Sequence, residues 1–182
     1  MKRKIMIGML LLLVVTGCGG TVSTDEKGNS KKEFNITETA IVNDTKIKVN
    51  SVKKVLRECF WEYDGVCQTY TEPDNAYFLV IDLTVENMKD KEQNISSIMS
   101  FDLKDMTGEK GKYVFLTKNI TSQMDGTIMA GDLLKGQIAY DVKDTDVYYF
   151  YYRDSLLDDS IKFVINKSDI IEWNYIKFWF IC

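Results

Sequence analysis

Histidine is absent from this 182-residue chain, proline occurs once, at Pro73, and cysteine only four times. The first absence excludes the most. Without imidazole there can be no Ser-His-Asp or Cys-His triad and none of the common zinc sites. No Gly-rich phosphate loop follows a strand pattern, and no Walker arrangement occurs. Long apolar runs are also missing: none reaches the about 20 residues that a membrane-spanning helix needs. Basic side chains are in deficit, with 23 Lys and Arg against 27 Asp and Glu, net −4.

What is present begins at the N-terminus. Lys2, Arg3 and Lys4 form a positive start, Ile5 to Val15 is apolar apart from Gly8, and Val15-Thr16-Gly17-Cys18 closes the run. This is the pattern of a secretory signal ending in a lipobox, so residues 1–17 are expected to be removed and Cys18 to carry the lipid. Diacylation supplies the two attachments that stable anchoring requires. The expected location is the extracytoplasmic face of the cell membrane. Loss of the three basic residues takes 23 down to 20 against 27 acids, net −7. Such a chain is repelled by anionic surfaces and is not expected to bind nucleic acid. Residues 18–33 include the polar stretch Gly19 to Lys32, which buries too little to offset its ordering entropy and reads as a tether.

Residues 34–167 are enough for one domain and one core. Aromatics make up 12% of the chain, and Val, Ile, Thr and Tyr recur in short runs, which points to β structure. The clearest strand is Ala76 to Met88, with Tyr77, Leu79, Ile81, Leu83 and Val85 on one face and Asp82, Thr84 and Glu86 on the other. Thr45–Leu56, Ser100–Met106, Lys112–Thr117, Gly136–Val142, Val147–Tyr152 and Ile161–Ile165 are further strands. Asn43-Asp44, Thr107-Gly108, Ala130-Gly131-Asp132, Lys143-Asp144 and Leu157-Asp158-Asp159 mark turns. The polar segment Glu86 to Ser97 reads as a loop or one helical turn. No long stretch keeps a 3.6-residue apolar period. The expected fold is an all-β antiparallel sandwich or barrel.

The blocks TKIKVNSVKKV (45–55), AYFLVIDLTVEN (76–87), SFDLKDMTGEKGKYVF (100–115) and GTIMAGDLLKGQIAYDVKD (126–144) resemble small Gram-positive lipoproteins that carry a domain of unknown function. That family is similar in fold to the secreted immunoprotective antigens of mycobacteria. The resemblance covers roughly residues 36–166 and implies an immunoglobulin-like β-sandwich. It implies no catalytic residue and no cofactor. The shared features are a strand ending in Asn, an Asp–Gly turn, and a Gly-Asp step before a late strand.

Several residues fall outside this pattern. Cys59 and Cys67 flank Asp64-Gly65, and in an oxidising compartment they read either as a disulfide closing a hairpin or as two free thiols. Phe60, Trp61 and Tyr63 lie between them, as recognition side chains or as a cap on the core. Val147-Tyr148-Tyr149-Phe150-Tyr151-Tyr152 is aromatic on both faces. It is expected to be partly buried under the C-terminal segment, with Tyr149 and Tyr151 as binding candidates. Asp141, Asp144, Asp146, Asp154, Asp158 and Asp159 read as solvated turn acids; calcium is the lesser alternative and no metal is assigned. Residues 168–182 are aromatic, end in Cys182 and have no settled role. The chain is therefore expected to be a lipid-anchored binding module for a protein or cell-envelope partner, not an enzyme. The alternatives are an accessory structural subunit of an envelope complex and, more weakly, a carboxylate- or calcium-dependent enzyme.

Overall fold

The computed structural model describes residues 31–55, 61–63, 66–68, 76–115, 122–154 and 160–172, with backbone alone at 61–63 and 66–68. In chain order its strands are β1 (Glu33–Asn35), β2 (Thr39–Val42), β3 (Thr45–Val55), β4 (Trp61–Tyr63), β5 (Val66–Gln68), β6 (Ala76–Asn87) and β7 (Gln93–Ile95). There follow β8 (Phe101–Asp105), β9 (Lys112–Tyr113), β10 (Gly126–Ile128), β11 (Leu133–Lys143), β12 (Val147–Tyr152), β13 (Ile161–Asn166) and β14 (Ile170–Glu172). The only helical turn among the described residues is a 3-10 turn at Lys167–Asp169.

Alternation dictates where β6 sits. Tyr77, Leu79, Ile81, Leu83 and Val85 are all buried in the main core, as their spacing predicts. Two-sided burial makes this the central strand. It pairs antiparallel with β3 on one side and β11 on the other. The larger sheet then runs β14-β3-β6-β11-β9, with β2 folded back on β3. The β2–β3 turn uses Asn43 and Asp44 at φ 47° and 55°, the left-handed conformation of a tight hairpin that Asn and Asp tolerate best after glycine. A register shift between Val49 and Ser51 inserts Asn50 as an extra residue. It returns Val52 to the core face, which strict alternation from Val49 would have turned outward.

The smaller sheet runs β1-β13-β12-β8. Its inner face contributes Phe34, Phe101, Leu103, Tyr148, Phe150, Tyr152, Ile161, Phe163 and Ile165 to the same core. The chain is therefore an all-β, immunoglobulin-like sandwich, with hydrophobic faces of two sheets packed on each other. Most pairs are antiparallel, but β1 joins β13 and β14 joins β3 in parallel.

Other departures from the sequence reading are local. Glu86 to Ser97 contains a strand, β7, paired with β10, instead of a helical turn or plain loop. Phe78 and Val80 break the polar face of β6, packing with Val55, Ala139 and Val114 in a small second cluster on the outer side of the larger sheet. The described start of the C-terminal segment joins β3, on the sheet opposite β12. It does not cover the aromatic strand. In β12 the side chains alternate: Tyr148, Phe150 and Tyr152 are buried, and Val147, Tyr149 and Tyr151 are half-buried on the outer face.

Candidate functional site

The outer face of the smaller sheet collects the tyrosines that the sequence singled out. Tyr149 faces Lys104 on one neighbouring strand and Val164 on the other; Tyr151 faces Asp102 and Lys162. The ammonium groups cross diagonally. Lys162 Nζ lies 4.8 Å from the Tyr149 ring centroid, and Lys104 Nζ lies 5.2 Å from that of Tyr151. Both are within cation–π range. Acids hold the surrounding cations in place: Glu33 bonds Lys162 at 2.7 Å, and Asp102 sits 3.0 Å from Lys110 and 3.9 Å from Arg153. The Glu33 hydrogen bond raises the Lys162 pKa, so this lysine stays charged. The result is a pair of half-buried rings, each with an ammonium group within reach of its face, on the outer side of the smaller sheet.

The second candidate surface is described only in part. β4 and β5 do form the hairpin expected around Asp64-Gly65, pairing Trp61 with Gln68, Glu62 with Cys67 and Tyr63 with Val66. Cys67 thus stands opposite Glu62 in the backbone register. Cys18, Cys59 and Phe60 lie outside the described residues, as do Asp158, Asp159 and the segment 173–182. Of the turn acids, Asp144 accepts from Lys167 at 2.8 Å and Asp154 from Lys89 at 2.6 Å. Among the described residues no three Cys, Asp or Glu side chains gather as a metal site would require.

Sequence reasoning missed a polar network buried at the end of the sandwich where β6 stops. Gln93 Nε2 donates to Tyr152 Oη at 3.0 Å and to Asp154 Oδ1 at 2.5 Å. Thr45 Oγ1 donates to Gln93 Oε1 at 3.0 Å, and Tyr152 Oη donates to Asp154 Oδ1 at 3.2 Å. Beside it, fully buried Asn87 donates through Nδ2 to the carbonyls of Lys91, Ile128 and Met129 and accepts from the Lys89 N–H. These bonds lock three loops to the end of one strand. The Asn at a strand end was legible; its partners Ile128 and Met129, 41 and 42 residues away, were not. Burial, followed by the nearby Asp154 charge, raises the Tyr152 pKa, which keeps the phenol protonated as a donor. The network is satisfied and structural in character. By contrast, the buried Tyr140 hydroxyl has no hydrogen-bond partner.

A family model for a domain of unknown function (DUF4352) matches residues 34–162. No curated protein matches the chain. A candidate lipoprotein of Bacillus subtilis, ycdA, is similar in structure, with TM-score 0.58 and 19% identity over 72% of this chain and 39% of its own. The chain thus spans well under half of that protein. The yjhA protein of Bacillus subtilis matches with TM-score 0.55 and 19% identity, over 73% of this chain and 99% of its own. MPT63, a secreted protein of Mycobacterium tuberculosis, gives TM-score 0.48 and 12% identity over 75% and 97% of the two chains. At 19% identity the likeness to the two Bacillus proteins shows the fold alone. The family match spans both sheets, from Phe34 in β1 to Lys162 in β13, and the chain belongs to the DUF4352 family.

Proposed function

We propose that this chain is a cell-surface lipoprotein whose domain binds a partner in the cell envelope and does no catalysis. Cys18 carries the lipid and holds the domain on the extracytoplasmic side of the membrane; the lipobox and the likeness to a candidate Bacillus lipoprotein support this. Binding is assigned to the outer face of β12. The observation that carries it is the Tyr149–Tyr151 pair, half-buried and spanned by Lys104 and Lys162. Rings with two torsions lose little entropy on contact, and each already has a cation in place to orient a ligand's polar groups. Trp61 and Tyr63 on the β4–β5 hairpin are a second contact in this reading.

The test uses the full chain in its own membrane. Envelope components retained by it are compared with those retained by the Tyr149→Ala/Tyr151→Ala variant at equal surface level. Retention should fall about tenfold, the size of effect that losing a central aromatic anchor produces. Equal retention would remove this face from the proposal. Separately, Cys18→Ala should move the chain out of the membrane fraction; a variant that stays there is not lipid-anchored through Cys18.

A further inference from the structure

A second surface stands apart from the tyrosine face, at the end of the sandwich where β6 passes into its loop. Three large apolar side chains are exposed there: Met88 at 41%, Met129 at 57% and Leu133 at 54%. The Asn87 bonds bring the backbone segments that carry them together. Asn87 N–H donates to Asp132 O, and Gly131 N–H donates to Asn87 O, so the 129–132 turn continues the β6–β11 pairing past Leu133 and Glu86. Met88 and Leu133 then fall diagonally across one outer face. Met129 offers its carbonyl to Asn87 at 3.2 Å, and Met88 N–H reaches Asp44 O at 2.8 Å. The backbone beneath the trio is therefore fixed, while two of its three side chains are thioethers that adapt to an incoming shape.

The rim says what covers it. Asp44, Asp90, Glu92 and Asp132, on or beside the segments that carry the trio, are exposed, and none is in an ion pair among the described residues. Of the cations close by, Lys46 is held by Glu86 at 2.8 Å and Lys89 by Asp154 at 2.6 Å. Lys91 and Lys135 remain, two charges against four. An apolar centre ringed by uncompensated carboxylates has the anatomy of an interface, and its charge selects against an anionic bilayer and for a cationic partner. We infer that this end docks a short polypeptide segment carrying an aliphatic side chain between lysines or arginines.

The probe is an acetylated pentapeptide alternating lysine with photo-leucine, applied to the full chain in phosphatidylcholine vesicles. Crosslinks should map to 86–92 and 129–133. The yield should fall severalfold as salt is raised from about 0.01 M to about 1 M, which shortens the screening length from about 30 Å to about 3 Å. Met88→Ser/Leu133→Ser and Asp132→Asn/Glu92→Gln should each lower the yield at these positions, and Tyr149→Ala/Tyr151→Ala should not. The inference is overturned if the crosslinks fall elsewhere or scatter. Equal labelling by the glutamate-for-lysine peptide also overturns it. So does labelling of Met129 or Leu133 by a photoactivatable acyl chain in the vesicle, which would make the bilayer the occupant. Because mapping is done on the unsubstituted protein as well, a variant that fails to fold does not remove the test.

Discussion

Replacing Asn87 with alanine would remove a fully buried amide that makes four hydrogen bonds, one of them buried and three part-buried. The methyl group fits the space, so the loss is polar. The carbonyls of Lys91, Ile128 and Met129 would lose a donor, and the Lys89 N–H an acceptor. The Ile128 carbonyl is left unmatched where the bond is buried, while water can reach the part-buried partners, so Asn87→Ala should destabilise the domain by about 1–3 kcal/mol. Urea unfolding measures it; a change below about 0.5 kcal/mol, the range of an ordinary surface substitution, would show that the three loops hold without this side chain. At this scale the sequence was legible where a side chain acts through its own strand. Tyr149 and Tyr151 could be named from alternation within β12. The distant partners of Gln93 and Asn87 could not, because they come from β3, β10 and β12.

At the scale of elements, length separated what could be read from what could not. β6, β12 and β13 have 12, 6 and 6 residues, enough to show a period of two. β1, β7, β10 and β14 have three residues each, and their conformation is set by the partner strand. The β3 bulge hid Val52 behind a broken alternation. One close approach between elements gives a sharp prediction. At Gly136 in β11 an added Cβ would lie 2.9 Å from Met124 Cα and 3.0 Å from Met124 N, both backbone atoms. The 122–124 segment is tied to β11 there, through Gln137 N–H to Ser122 O at 2.7 Å and Met124 N–H to Gln137 O at 3.3 Å. Backbone cannot rotate away as a side chain can. Gly136→Ala should therefore cost about 2–3 kcal/mol by overpacking and speed amide exchange at Met124 and Gln137 relative to β6. Unchanged exchange at both amides would mean that the segment shifts freely.

For the molecule as a whole, the anchor and the class of fold were readable because each rests on local pattern, a lipobox or a two-residue period. The pairing of two sheets through buried tyrosines was not. That pairing has a consequence for pH. Tyr77 and Tyr148 meet hydroxyl to hydroxyl across the core at 2.8 Å, and Tyr148 donates to the Lys143 carbonyl. Burial raises the pKa of Tyr77, Tyr140, Tyr148 and Tyr152; Tyr77 adds to the effect on Tyr148, and the Asp154 charge to that on Tyr152. In the unfolded chain these phenols titrate near the ordinary value of about 10. Above that pH the unfolded state has released protons that the folded state still binds, so stability falls as pH rises. The contribution is whole below about pH 10 and is lost progressively above it. Lys143, Lys162 and Lys167, whose pKa values are raised by hydrogen bonds to Glu109, Glu33 and Asp144, act in the same direction. The urea midpoint should hold steady from about pH 7 to about pH 9 and decline beyond about pH 10. Of the ten tyrosines, the buried ones should form tyrosinate only together with unfolding, as a late cooperative step in ultraviolet absorbance. Tyr148→Phe should flatten the alkaline decline, since it removes one proton that distinguishes the two states. A midpoint independent of pH up to about 11, with every tyrosine ionising in one step near 10, would mean that water reaches these hydroxyls in the folded protein.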